Sequence, residues 1–309
     1  MAKNLRELPK LRDSISYIYV EHAIIERSDS SIMLIQKTGK TPIPVAATTC
    51  LLIGPGTRIT HAAIRAICEN GCMAVWCGEH MEHFYASGMG ETRSSKNLLL
   101  QAQLCMDDEK HMTVVRRMYE RRFPKLLHKD FTLQQLRGME GIRVREAYKM
   151  ASKMTGVAWS ARKYKNTDWD ASDDINQALS IGNALLYNVC HAAIVSLGYS
   201  PALGFIHTGK MLSFVYDIAD LYKAETTIPA AFEAVARPQG DFDRSVRMRC
   251  RDRFEKIKLL KRIPADIEWI FLQSDSEQRE AEQVGSLWNE DEELAGGVNY
   301  AFAAEVKQP

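Results

Sequence analysis

The sequence is poor in the features that mark secreted or membrane proteins. Its seven cysteines are an odd number and none form a Cys-x-x-Cys pair. That argues against a disulfide framework and for a reduced, cytoplasmic chain. The first residues, Met-Ala-Lys-Asn-Leu-Arg-Glu, contain no apolar signal core. No run approaches the ~20 apolar residues of a membrane span, so no membrane partner is expected. Cys68, Cys72, Cys77, His80 and His83 fit no common zinc spacing, and Cys72 and Cys77 flank an apolar strand. The three cysteines are expected to be buried free thiols. Internal repeats and low-complexity tracts are absent, a polar tail apart. Net charge is also small, +1, but unevenly spread. Residues 274–309 hold nine acids against two bases, a charge of −7 that leaves +8 on the rest. A basic body with an acidic tail points to a polyanionic partner and a separate interaction segment.

What is present suffices for two domains. The chain has 309 residues, 46% of them hydrophobic. Up to residue 88, short β-branched runs alternate with turn residues such as Gly54-Pro55-Gly56. One helix interrupts them at residues 61–70 and stops at Gly71. After a Gly/Ser-containing linker, residues 89–96, the period turns helical. Helices are expected over 98–123, from the Thr132-Leu-Gln-Gln135 capping box to about Lys153, over 173–197, around Asp217, over 229–236 and over 242–262. The predicted class is α+β: a small, mostly β N-terminal domain (1–88), the linker, a larger all-α domain (97–273) and an acidic, flexible tail (274–309).

The tail carries isolated apolar anchors, Leu287, Trp288, Tyr300 and Phe302. It buries too little to fold alone and reads either as a partner-docking segment or as a solubilising end.

Residues 201–222 concentrate the chemistry. A glycine-punctuated loop carries His207 and Lys210, and an apolar helix then carries Asp217 and Asp220. The i,i+3 spacing puts both carboxylates on one inward face, where they repel and are costly to desolvate. Mg²⁺ or Mn²⁺ would relieve both costs; a solvated helix edge is the plainer reading. Glu140 lies between Gly138 and Gly141, with Arg137, Arg143 and Arg145 around it. It reads either as a third carboxylate on a phosphate-binding surface or as a Glu–Arg pair on a closely crossed helix. Arg244, Arg247 and Arg251 recur at i, i+3, i+7, with Arg249 and Arg253 beside them and few acids in balance. Such a stripe suits phosphates, and Arg116-Arg117 and Arg121-Arg122 repeat the theme. Tyr164, Trp169 and Tyr187 are candidates to stack on bases.

The order Arg-Gly-Met-Glu-Gly-x-Arg, then Gly-Phe-Ile-His-Thr-Gly-Lys, then Ser-Phe-Val-Tyr-Asp-Ile-Ala-Asp resembles the CRISPR-associated spacer-acquisition integrases. The wording is closest to the subtype found with Cascade-type interference. The resemblance implies a homodimer and a heterohexameric complex with a small ferredoxin-like partner subunit. It implies Glu140, His207 and Asp220 as ligands of Mg²⁺ or Mn²⁺, with Asp217 a further acid of the site. It also implies 3′-hydroxyl attack on phosphodiesters, joining prespacer duplexes with 3′ overhangs to CRISPR repeat DNA. Lys210, Tyr164 and Tyr187 would line the 3′-overhang pocket. Arg58, Arg244, Arg247 and Arg251 would hold phosphates, and His22 stands where a stacking tyrosine is expected. A stand-alone nuclease or Holliday-junction resolvase, and a non-catalytic DNA-binding scaffold, are the alternatives.

Overall fold

A computed structural model describes residues 15–29, 31–78, 84–88, 95–123, 131–162, 173–271, 286–289 and 292–295. The chain divides into two compact units, Met1–Phe271 and Leu272–Pro309.

The first unit begins with two four-stranded sheets. β1 (Ile15–Val20), β5 (Thr48–Ile53), β7 (Met73–Cys77) and β8 (Phe84–Gly88) form one, in the order β1-β5-β7-β8. β1, β5 and β7 run parallel, and β8 closes the edge antiparallel. β2 (Ile24–Ser28), β3 (Ser31–Gln36), β4 (Gly39–Ile43) and β6 (Arg58–Ile59) form the other, in the order β4-β3-β2-β6. The register sets Ile25 opposite Leu34 and Ile32 opposite Ile43. Helix α1 (His61–Glu69) is capped by Thr60, whose hydroxyl accepts from the Ala63 N–H. Gly71, at φ 60°, turns the chain back into the sheet.

The first sheet is apolar on both faces because its side chains alternate between two cores. Leu51, Ile53 and Ala74 pack with α1 and the second sheet. Cys50, Leu52, Met73, Val75 and Cys77 pack with the helices that follow. Cys72 and Cys77 are buried thiols, as expected, but Cys68, on the outer face of α1, is exposed; burial pushes Cys77 up to about 12.

The helical part comprises α2 (Lys96–Met106), α3 (Asp108–Arg122), α4 (Leu133–Thr155), α5 (Asp174–Ser196), α6 (Ser213–Ala219), α7 (Thr227–Ala236), α8 (Phe242–Lys256) and α9 (Leu259–Phe271). The expected capping box opens α4, and Gly156 closes it in the left-handed conformation. The helix expected over 98–123 is two. Asp107 is extended and its carboxylate accepts from the Lys110 N–H at 3.0 Å, so a new N-terminus forms there. The helix expected over 242–262 also divides, at Lys258, whose φ is 51°. α5 is long and apolar enough to cross a membrane, but sixteen of its 23 residues are buried in the core.

The second unit holds two described strands. β9 (Ser286–Asn289) and β10 (Glu292–Ala295) pair antiparallel, with Leu287 opposite Leu294.

Candidate active site

The loop before α6 is built around Asp217. Its carboxylate is fully buried and accepts four hydrogen bonds. Oδ2 takes the Phe205 N–H at 2.6 Å and the Ile206 N–H at 3.1 Å. Oδ1 takes the His207 N–H at 2.9 Å and the His207 ring Nδ1–H at 2.7 Å. The loop therefore closes onto a charge that water cannot reach, which makes each bond strong. Gly204 permits this closure: a Cβ there would lie 2.2 Å from the His207 carbonyl oxygen and 2.6 Å from the Ser213 Cβ.

Because Nδ1 donates to Asp217, the neutral imidazole presents the lone pair of Nε2. Nε2 lies 3.9 Å from Oδ2 of Asp220. The hydrogen bond to Asp217 raises the His207 pKa, against the opposing effect of burial. Asp220 follows the last turn of α6. Burial pushes its carboxyl up, but Lys223, then Arg122, overcome this and hold it below the usual range. The Lys223 ammonium donates to Asp220 Oδ1 at 2.6 Å and to the Tyr187 hydroxyl at 2.7 Å. Burial opposes that ammonium's charge, yet Asp220 leaves its pKa raised. Tyr187 stands edge-on to Tyr216, and Tyr216 edge-on to His207.

Glu140 comes to this group through arginine. Arg143 grips it with both prongs, Nε to Oε2 and Nη2 to Oε1, each 2.9 Å. Arg122 Nη1 lies 3.4 Å from Oε1, and Arg122 Nη2 donates to the Asp217 backbone carbonyl at 3.4 Å. Arg122 thus links α3, α4 and α6 behind the site. Among the described residues, no three His, Cys, Asp or Glu side chains are close enough to hold a metal ion by themselves. His207 and Asp220 come together; Glu140 is joined to Asp220's surroundings by guanidinium groups. The Glu–Arg pair is therefore present, but the glycines beside it admit no other part of the described chain. A Cβ on Gly138 would meet nothing, and one on Gly141 only the tip of Arg145.

The remaining candidates are spread out. Lys210 is exposed on the His207 loop. Arg58 and His22 are exposed on the strand-rich part, with His22 at φ 50° against Gly56. Arg244 and Arg251 are exposed on α8, while Arg247 is half-buried near Tyr19. Tyr164 and Trp169 lie outside the described residues. The neighbouring arginines are not free phosphate binders: Glu233 on α7 pairs with Arg249 and Arg253. Arg116 and Arg117 donate to the Phe131 and Ile270 carbonyls, and Arg121 pairs with Asp266 at 3.0 Å. Lys223 went unread in the sequence, and Arg122 was read there only as part of a phosphate-facing arginine theme. Lys223 was detectable as the i+3 partner of Asp220; Arg122, 95 residues from Asp217, had no local signal.

Carboxylates and an imidazole set among guanidinium and ammonium groups, on this α+β scaffold, suit an enzyme that acts on a phosphate-bearing substrate. Comparison with known proteins narrows the class. The family model for CRISPR associated protein Cas1 matches residues 16–128 and 121–255. The chain is 48% identical over 305 residues to CRISPR-associated endonuclease Cas1 2 of Thermus thermophilus, covering 97% of this chain and 94% of that protein. It is 44% identical over 259 residues to CRISPR-associated endonuclease Cas1 of Escherichia coli, covering 84% and 85%. A crystal structure of a TtCas1-DNA complex superposes with a TM-score of 0.71 at 51% identity, over 86% of this chain and all of that one. The chain belongs to the Cas1 family, the nucleases and integrases of CRISPR spacer acquisition.

Proposed function

We propose that this chain is a metal-dependent DNA integrase that joins prespacer DNA to a CRISPR array. The observation that carries the reading is the His207–Asp220 pair, with Nδ1 of the imidazole committed to Asp217 and Nε2 turned to Asp220 Oδ2 at 3.9 Å. Two donors each about 2.1 Å from one ion lie about 3.0 Å apart when cis and about 4.2 Å when trans. The pair lies between the two, so a side-chain shift of about 1 Å would bring both donors cis on one ion, and imidazole nitrogen with carboxylate oxygen suits Mn²⁺ or Mg²⁺. Glu140 would complete the set, with its arginine contacts exchanged. When bound, the ion would lower a hydroxyl's pKa and offset charge on phosphorus.

The chain's own residues supply the rest. Asp217 holds the imidazole tautomer and the 205–207 backbone. Lys223 fixes Asp220 by one oxygen. Lys210, Tyr187 and Tyr164 would border the 3′ overhang, and Arg58, Arg244, Arg247, Arg251 and His22 would hold or stack on the duplex. In the reaction, a 3′-hydroxyl oxygen bonds to the target phosphorus and the bond from that phosphorus to the target's own 3′ oxygen breaks. The proton passes from one hydroxyl to the other. One phosphodiester replaces another, so no energy-rich cofactor is consumed. A homodimer, assembled with a small ferredoxin-like partner, would present two such sites to the two strands.

A labelled 3′-OH donor with supercoiled target tests this. Joined product in Mn²⁺ or Mg²⁺, lost in His207→Ala and Asp220→Ala while DNA binding persists, is the expected result. Cleavage without joining would make the chain a nuclease or resolvase. A mobility shift alone would make it a scaffold.

A further inference from the structure

Three carboxylates, Glu140, Asp217 and Asp220, are gathered with three permanently charged side chains, Arg122, Arg143 and Lys223. The chain balances its own site electrically, so a divalent ion arriving alone would meet little net negative charge. The two carboxylates of the proposed ligand set are held differently. Asp220 gives Lys223 only Oδ1, and Oδ2 remains turned to His207. Glu140 has both oxygens engaged by the Arg143 fork and Oε1 shared with Arg122.

The two guanidinium groups also differ in freedom. The Arg122 side chain is 2% exposed and is pinned behind the site, whereas that of Arg143 is 24% exposed. A fork that matches a carboxylate matches a phosphate equally well. We infer that Arg143 is a positioning residue that withholds Glu140 from the metal until a DNA phosphate draws its guanidinium away, so that metal and DNA load cooperatively. The inference rests on the ligand set proposed above. By linkage, the metal must tighten DNA binding by the same factor that DNA tightens metal binding.

The test is a titration of the full chain with Mn²⁺, read by the electron paramagnetic resonance of the free ion. It is run with and without a saturating short duplex ending in 3′-dideoxy nucleotides, so that no strand transfer occurs, and the duplex alone is titrated for subtraction. Mn²⁺ affinity should rise with duplex by a factor within about 5–150-fold. Arg143→Gln should bind Mn²⁺ without DNA more tightly than the wild type does, and its factor should fall toward one. Arg143→Lys, with a point charge instead of a fork, should lie between. Two results would overturn the inference: a wild-type factor near one, or an undiminished factor in Arg143→Gln. Asp220→Asn identifies the site being read. If it titrates like the wild type, the ligand set itself is wrong and the inference falls with it.

Discussion

Replacing Asp217 by Asn tests the loop construction directly, because the change is nearly isosteric and removes only charge and one acceptor. The carboxylate receives four donors, two on each oxygen. The amide keeps one acceptor oxygen and sets its own NH₂ against the other two donors. Hydrogen bonds to a charged group are worth about 1.5–3 kcal/mol each, and a buried donor left unpaired costs about 1–3 kcal/mol. Relief from burying an uncompensated charge offsets part of this, so a net loss of about 3–5 kcal/mol is expected. At about 2–4 °C per kcal/mol for a chain of this size, the thermal midpoint should fall by roughly 6–20 °C. Activity should fail for a second reason. An amide NH₂ facing Nδ1 makes that nitrogen the acceptor and moves the ring proton to Nε2, removing the lone pair that faces Asp220. Thermal melts with a strand-transfer assay, run beside His207→Ala, separate the effects. His207→Ala, which removes one of the four donors, should be inactive with a smaller fall in the melt; Asp217→Asn should be inactive and more strongly destabilised. An Asp217→Asn protein that melts within 2 °C of the wild type and joins DNA normally would refute the reasoning.

Three further outcomes are expected. Replacing exposed Arg244 and Arg251 with Ala should weaken duplex binding irrespective of sequence and lower the slope of log K against log salt by roughly 1–2, since each phosphate contact contributes ~0.9; an unchanged slope assigns the stripe to another surface. Burial lowers the His191 pKa from 6.5 to about 4, so between those values the unfolded chain binds a proton that the folded chain refuses. Stability should therefore fall as pH drops from 6.5 to 4, by at most about 3 kcal/mol, and His191→Gln should flatten that part of a denaturation series. Truncation after Gln273 should leave the catalytic site formed while weakening assembly with the proposed small partner subunit; partner co-purification at full stoichiometry and affinity would show the tail to be only solubilising.

The parts of the site that were legible are those encoded locally. The spacing of His207, Asp217 and Asp220, and the glycine-flanked Glu140, are visible within short windows. The division of labour between the two aspartates was not. Both fall on one helical face, and only the return of the 205–207 backbone makes one a buried anchor and leaves the other turned to His207 Nε2. Arginine stripes misled for a related reason. A window along α8 shows few acids to balance Arg249 and Arg253, but their partner acid, Glu233, comes from α7. The break at Asp107 was readable, since Asp followed by Asp108 and Glu109 is an N-terminal signature. It was hidden by an apolar period that continues across it. Fold class emerged more readily, because strand alternation and helical period change so abruptly near residue 90.

The two-faced sheet has a consequence for how the first unit comes apart. Leu51 and Leu52 are chain neighbours, yet one belongs to the core beneath α1 and the other to the core under the long helices. Truncating either to Ala would cost about 2–5 kcal/mol. Because both cores are tied to the same strand, either loss would be felt across the unit. The strand-rich and helical parts thus share one unfolding event. Damage on the side bearing His22 and Arg58 registers in the same melting transition as damage beside His207.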